Sequence, residues 1–377
     1  MLRPAARSCF LRQTLRENPD KEDYSMYRFL ALSLFLLTTS VTAQSRDVIY
    51  YLDRASKSDK VLSLEGTIVE DSINGLRVKP LTGPEKTLHA TDIVDVAYAL
   101  PRQLEVKFQN IVFAEATVRA GTADRSRLQQ LLRDYNALVD QLRDPKLSHI
   151  RRHVNYRMAM LKIQLAETTE ELRDAAANLG KFRSEFLESW QYVPVLQTQA
   201  QLWIELGRLE DAANVLDALA RTPKLDSGLK HDVNLQIIDL MLRSQQPREA
   251  EGRATDELSS LPMDHPSVPV LKLYQIAAQN WRSDLEQAVA RLRASFIEAE
   301  NSTLKAVGYN LLGHLYSSKG RLEDAMWCYL WVDTVYNQDR REQLKAIERL
   351  AAVFAELNDE TRAEKYREKL RTLRGSI

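Results

Sequence analysis

His149 and His153 stand four residues apart in a stretch that reads as helix, which puts two imidazoles on one helix face, the spacing a zinc pair needs. The residues between them are Ile150, Arg151 and Arg152. They supply no glutamate for general-base work, and two cations would repel a metal ion, so neither a metal site nor a cofactor is expected. No G-x-x-x-x-G-K-[ST] phosphate loop, G-x-S-x-G elbow or Cys-x-x-Cys pair occurs, and no catalytic constellation is expected. Of the two cysteines, Cys9 lies near the start and Cys328 far along the chain. The basic cluster Arg151, Arg152, His153 and Arg157 is short and reads as a solvated helix face. With 52 basic against 52 acidic residues, nothing calls for a nucleic-acid partner. Trp327, Tyr329 and Trp331 alternate inside a helix and therefore point to different sides. Asn301-Ser302-Thr303 matches a glycosylation acceptor, a frequent chance match.

The elements that would position any site are set by an internal repeat. Ala175, Ala212, Ala250, Ala288, Ala325 and Ala363 recur at intervals of 37 or 38 residues. Five residues before three of these alanines stand Gly207, Gly320 and Asn358, types that tolerate the left-handed backbone of a helix end. Twelve residues before the same three stand Ala200, Gly313 and Ala351, small residues that let two helices approach closely. Each unit is therefore read as a helix hairpin that must stack on its neighbours to bury its apolar side. The last helix, from Arg362 to about Leu373, carries Arg362, Glu364, Lys365, Arg367, Glu368 and Lys369 and suits an end cap against water.

The segment YNLLGHLYSSKGRLEDAMWCYLWV, with Tyr309, Leu312, Gly313, Tyr316, Gly320, Leu322, Ala325 and Tyr329, resembles the tetratricopeptide repeat. The copies around Ala212 and Ala363 match in the turn and the second helix. The other three are degenerate and carry Ile163, Ile238 and Ile276 at the small-residue site of the first helix, which places those helix pairs further apart or at a different tilt. The period also exceeds the 34 residues usual for that family. The resemblance implies a mainly α fold, a solenoid of about six hairpins over residues 148–377.

Ahead of the array, residues 44–100 change to an alternating period, with short runs at Val48 to Leu52, Gly66 to Glu70, Leu76 to Lys79, Lys86 to Ala90 and Ile93 to Tyr98. Five strands fit a small barrel, and Asn74-Gly75 is a hairpin signal because both residues accept positive φ. The run resembles the small SH3-like or Sm-like modules found ahead of helical repeats in exported bacterial proteins. Residues 101–147 are read as linking helices, with a divergent first hairpin as the alternative, in which Ala137 lies one interval of 38 before Ala175. Residues 26–43, MYRFLALSLFLLTTSVTA, read as a secretory signal with cleavage after Ala43, its apolar run too short to span a bilayer. Residues 1–25 are either untranslated, with the true start at Met26, or a long leader. The product is expected to be periplasmic or secreted, without an internal disulfide and without a stable membrane span.

By the family resemblance, first helices line a concave groove, and Gln197, Gln201, Asn310, His314 and Ser317 face it to hold a protein or peptide partner. The family's clamp on a C-terminal carboxylate leans on a lysine that is absent here and is not carried over. The function expected is a non-enzymatic interaction scaffold. Two alternatives stand beside it: an envelope-polymer or nucleic-acid binding module acting through the β-strands, and an enzyme with a site dispersed over loops. The homo-oligomeric state is left open.

Overall fold

The alternating pattern that begins at Asp47 forms five strands. In the computed structural model, which describes residues 46–53, 60–120 and 125–375, these are β1 (Asp47–Leu52), β2 (Val61–Ser72), β3 (Gly75–Pro80), β4 (Lys86–His89) and β5 (Ile93–Ala97). They pair antiparallel in the order β4-β3-β2-β1-β5, so β4 and β5 form the two ends of the ladder. Apolar side chains on one side of the pleat, among them Ile49, Leu76, Val78, Leu88 and Val96, are buried. β2 begins five residues before Gly66, the start read from the sequence, because its first half pairs with β1 and its second half with β3. The hairpin at Asn74 forms one residue earlier than expected. Its two loop residues are Ile73 and Asn74, and only Gly75 takes a positive φ, 139°. The Asn74 side chain instead bonds the backbone before a later helix: Nδ2 donates to Lys224 O at 2.7 Å, and Oδ1 accepts from Asp226 N at 2.9 Å. The signal segment 26–43 and Cys9 lie outside the described residues.

The chain divides into two units. One contains residues 99–141, where the stretch after Pro101 is helical: α1 (Arg102–Ala120) and α2 (Arg125–Val139) are tied by Tyr135 donating to Glu115. Ala137 is exposed on α2, so it does not share the buried setting of the later alanines.

The other unit joins the sheet, residues 46–98, to every helix from Leu142 onward. Six hairpins follow one another: α3 (Ser148–Leu165) with α4 (Thr169–Glu185), α5 (Tyr192–Glu205) with α6 (Leu209–Ala220), α7 (Ser227–Arg243) with α8 (Pro247–Ser260), α9 (Val268–Asn280) with α10 (Leu285–Ala294), α11 (Ser302–Ser318) with α12 (Leu322–Thr334), and α13 (Arg340–Glu356) with α14 (Glu360–Gly375). Each helix packs on its neighbours in sequence, a tetratricopeptide-like α-solenoid. Ala175, Ala212, Ala250, Ala288, Ala325 and Ala363 are all buried on second helices. In five of the six units the alanine amide bonds the carbonyl four residues back, at the helix entry. Ala175 sits a turn deeper, because α4 starts at the capping box of Thr168 and Glu171.

Four turns share one hydrogen-bond pattern. At Gly207, Gln245, Gly320 and Asn358, φ lies between 59° and 72°. The next amide reaches back to Trp203, Met241, Tyr316 and Phe354 respectively, closing a Schellman motif at each helix end. Each turn residue precedes its repeat alanine by five positions. Gly313 answers to close approach: a Cβ there would stand 2.4 Å from the Tyr329 ring of α12.

Candidate functional site

The face expected to hold a partner is occupied by the protein's own charges. Asp239 and Arg243 on α7, Tyr274 on α9, Asn310 and His314 on α11, Tyr329 on α12 and Lys345 on α13 form one buried polar cluster. Tyr274 donates to Asp239 at 3.3 Å, Lys345 Nζ donates to Tyr274 at 3.2 Å, and Lys345 pairs with Glu342 at 2.8 Å. Two ion pairs cross from α7 to α13 directly: Arg243 with Glu348 at 2.9 Å and Arg341 with Asp232 at 2.8 Å. These partners are 105 and 109 residues apart in sequence, so the first helices of hairpins three units apart touch. Burial alone would raise the Asp239 carboxyl, but Lys345, His314 and Arg243 hold it far below the usual carboxylate range. Burial would likewise lower Lys345, yet Asp239 and Glu342 keep its ammonium charged.

This geometry corrects part of the expected partner surface. Asn310 is 2% exposed and donates to the Glu342 carboxylate at 2.7 Å. His314 is 5% exposed, with Nδ1 3.0 Å from the Tyr329 hydroxyl. Neither reaches solvent. Ser317 is half-buried. Gln197 and Gln201 on α5 are half-buried, and Gln201 donates to Glu205 at 3.4 Å. The repeat spacing put all five on first helices but could not report that α13 closes over Asn310 and α7 over His314.

His149 and His153 do share a helix face, and that face is turned to the sheet. Their rings meet the Tyr98 ring edge-on, with centroids 5.1 and 5.2 Å away. Of the basic cluster read as a solvated face, Arg151 is exposed, whereas Arg152, His153 and Arg157 fasten the helix to the sheet. Arg152 pairs with Asp71, whose other oxygen accepts from Trp190 N at 3.1 Å, and Arg157 pairs with Asp95, which also lies 3.3 Å from His153 Nε2. Among the described residues, no group of three or more His, Cys, Asp or Glu is placed to hold a metal ion. Asn301 spends its side chain capping α11, accepting from Leu304 N.

An unfilled surface lies on the second helices. Trp327, Trp331 and Val335 follow one another at i, i+4 and i+8 along the end of α12 and beyond, and are 51%, 46% and 43% exposed, while Tyr329 between them is buried. Between α10 and α12 the surface sinks into a hollow of about 240 Å³, lined by Val289, Arg293, Tyr309, Tyr316, Trp327 and Trp331 among others. Tyr309, Trp331 and Tyr336 stack with their planes 15° to 29° apart. Cys328 lies at the floor, and burial pushes its thiol up to about 12. α10 forms one wall of the hollow through Val289 and Arg293, and at 10 residues it is shorter than α8 with 14 and α12 with 13. The triple of aromatic residues was visible in the sequence; the early end of α10 was not.

The sequence matches no known family model, and no curated protein matches it. Solved structures do align. A tetratricopeptide repeat protein from Parabacteroides merdae has 13% identity over 71% of this chain and 93% of its own, with a TM-score of 0.40. The apo form of the quorum sensor NprR from B. thuringiensis has 14% identity over 71% and 77%, with a TM-score of 0.33. A signal-transduction ATPase with numerous domains and a tetratricopeptide repeat sensor, from Pyrococcus horikoshii, has 12% identity over 73% and 41%, with a TM-score of 0.26. The class is defined by the chain's own geometry: a mainly α, tetratricopeptide-like solenoid of six hairpins with a five-stranded antiparallel sheet fastened to it.

Proposed function

We propose that the protein is an exported, non-enzymatic scaffold that binds a protein or peptide partner on the surface of its helical array. The observation that carries this reading is the exposed aromatic hollow at α12. A contiguous apolar surface kept open to water, beside an inner face that has satisfied its own charges, marks an interaction site. Aromatic residues of this kind dominate the energetics of protein interfaces. Export rests on the sequence of residues 26–43, with the mature chain beginning at Gln44 in the periplasm or outside the cell. No helix among the described residues is long and apolar enough to cross a membrane.

The reading is tested by crosslinking the mature chain in intact source cells, with wild type beside the Trp327→Glu/Trp331→Glu double variant, and identifying bound material by mass spectrometry. A specific protein captured by wild type and reduced at least about tenfold with the double variant supports a scaffold working through this surface. Capture of a protein equally by both leaves the scaffold and moves its surface elsewhere. Capture of polymer or nucleic acid with no protein overturns the reading.

A further inference from the structure

We propose that the hollow at α12 receives an amphipathic helix of the partner, lying antiparallel to α12 along the exposed face that Trp327, Trp331 and Val335 form. This inference rests on the scaffold reading and specifies the occupant. The first argument is shape. Trp327, Trp331 and Val335 make a ridge of i±4 spacing, the kind of ridge that seats in the groove of another helix. The ridge spans eight residues, about 12 Å at 1.5 Å per residue, or roughly two turns of a bound helix.

The second argument is size. At about 240 Å³ the hollow lies below the range of roughly 300–1,000 Å³ typical of small-molecule sites. It suits one or two large apolar side chains that anchor a longer segment.

The third argument is charge. Glu286, Glu323 and Asp324 gather at the start of α12, where Arg321 pairs with Asp324 at 2.6 Å and with Glu286 at 3.3 Å and is outnumbered. At the other end stand Arg293, which lines the hollow, and Lys305, whose ammonium lies 5.8 Å from the centre of the Tyr336 ring that stacks on Trp331. The complementary helix carries acidic residues at the Arg293 end and basic residues at the Glu323 end. Helices favour acidic side chains in the first turn and basic ones in the last. The N-terminus of the bound helix therefore meets the C-terminal end of α12, which fixes the antiparallel direction.

Two displayed peptide libraries put this to the test on the full mature chain, with counter-selection on the Trp327→Glu/Trp331→Glu variant. One fixes apolar residues at i, i+3, i+4 and i+7 on a helical host; the other is extended and proline-rich. The expected result is enrichment from the helical library, with acidic first turns and basic last turns. Binding of the winners should fall at least about tenfold on the double variant, on Val335→Glu and on inserting a proline at the peptide's centre. Swapping the peptide's end charges should weaken binding several-fold at low salt and much less at high salt. Circular dichroism and melting of each variant separate loss of fold from loss of binding. Enrichment from the extended library alone, enrichment from neither, helical winners indifferent to the substitutions, or a dimer of this chain that Trp331→Glu abolishes each overturn the helix proposal. A partner captured in cells despite such a result keeps the scaffold reading and rejects only the helix.

Discussion

The inner face and the outer hollow treat the same problem in opposite ways. Across the inner face, α7 and α13 meet through Arg243–Glu348 and Arg341–Asp232, with Asp239, Lys345, His314 and Asn310 buried between them. Asp239, Arg243, Arg341 and Lys345 each face an opposite charge of the same chain, so a partner would have to displace internal ion pairs to enter. At the outer hollow, two tryptophans remain about half exposed and no element of the described chain covers them. The two faces therefore differ in what they leave open: the inner one is closed by its own ion pairs, and the outer one keeps apolar surface in contact with water.

The comparison is broken most severely at its charged centre. Asp239→Ala removes the carboxylate that faces Lys345, Arg243, His314 and Tyr274 and leaves cations buried without it, at an expected cost of about 3–5 kcal/mol in urea unfolding. The pH dependence has a definite sign. The Asp239 pKa is depressed, so its contribution is present above the unfolded value near 3.9 and is lost only as pH falls through the folded value below that. The Lys345 pKa is raised, so its contribution is present below about 10.4 and is lost as pH rises beyond it through the folded value. The stability difference between wild type and Asp239→Ala should thus shrink as pH falls below about 4, where the Asp239 carboxylate takes up its proton. A difference that stayed constant to the acid limit would remove the ion pairs as its cause.

Next in size is the packing between α11 and α12, the hairpin that carries both faces. Gly313→Ala puts a methyl group 2.4 Å from the Tyr329 ring, whose hydroxyl meets His314 on the inner side. The strain should cost about 1–3 kcal/mol in urea unfolding. It should also admit iodoacetamide to Cys328, whose thiol in the native protein is buried and has its pKa pushed up to about 12. Wild-type protein should label at Cys328 only on unfolding, so labelling at neutral pH without denaturant would contradict the close packing of α12.

A smaller effect of opposite sign is expected at Gln245. Its φ of 59° is one that glycine adopts without strain and glutamine does not. Gln245→Gly should therefore stabilise the unfolding transition by about 0.5–1 kcal/mol, despite the freedom glycine adds to the unfolded chain. This position also shows what the sequence made legible. Gly207, Gly320 and Asn358 announced their turns by residue type, whereas Gln245 takes the same backbone with a residue that carries no such signal. The order of hairpins and strands could be read because periodicity and turn chemistry are local. The α7–α13 ion pairs could not, because more than 100 residues separate the partners and the curvature that joins them accumulates over three hairpins. For the same reason His149 and His153 were legible as one helix face but not as the face that meets Tyr98 and Asp95.

The smallest stability effect belongs to the surface with the largest proposed role in binding. Trp327→Ser removes a side chain more exposed than buried, in none of the ring stacks formed by its neighbour Trp331, so urea unfolding should shift by less than about 0.5 kcal/mol. Apparent solubility at high concentration should improve, because an open apolar patch has been cut back. A cost above about 2 kcal/mol would mean that Trp327 is covered in the free protein. The hollow would then belong to the core, and the contrast with the inner face would disappear. A neutral substitution keeps the contrast: the inner face holds the array together, and the outer one stays open to water without a role in the fold.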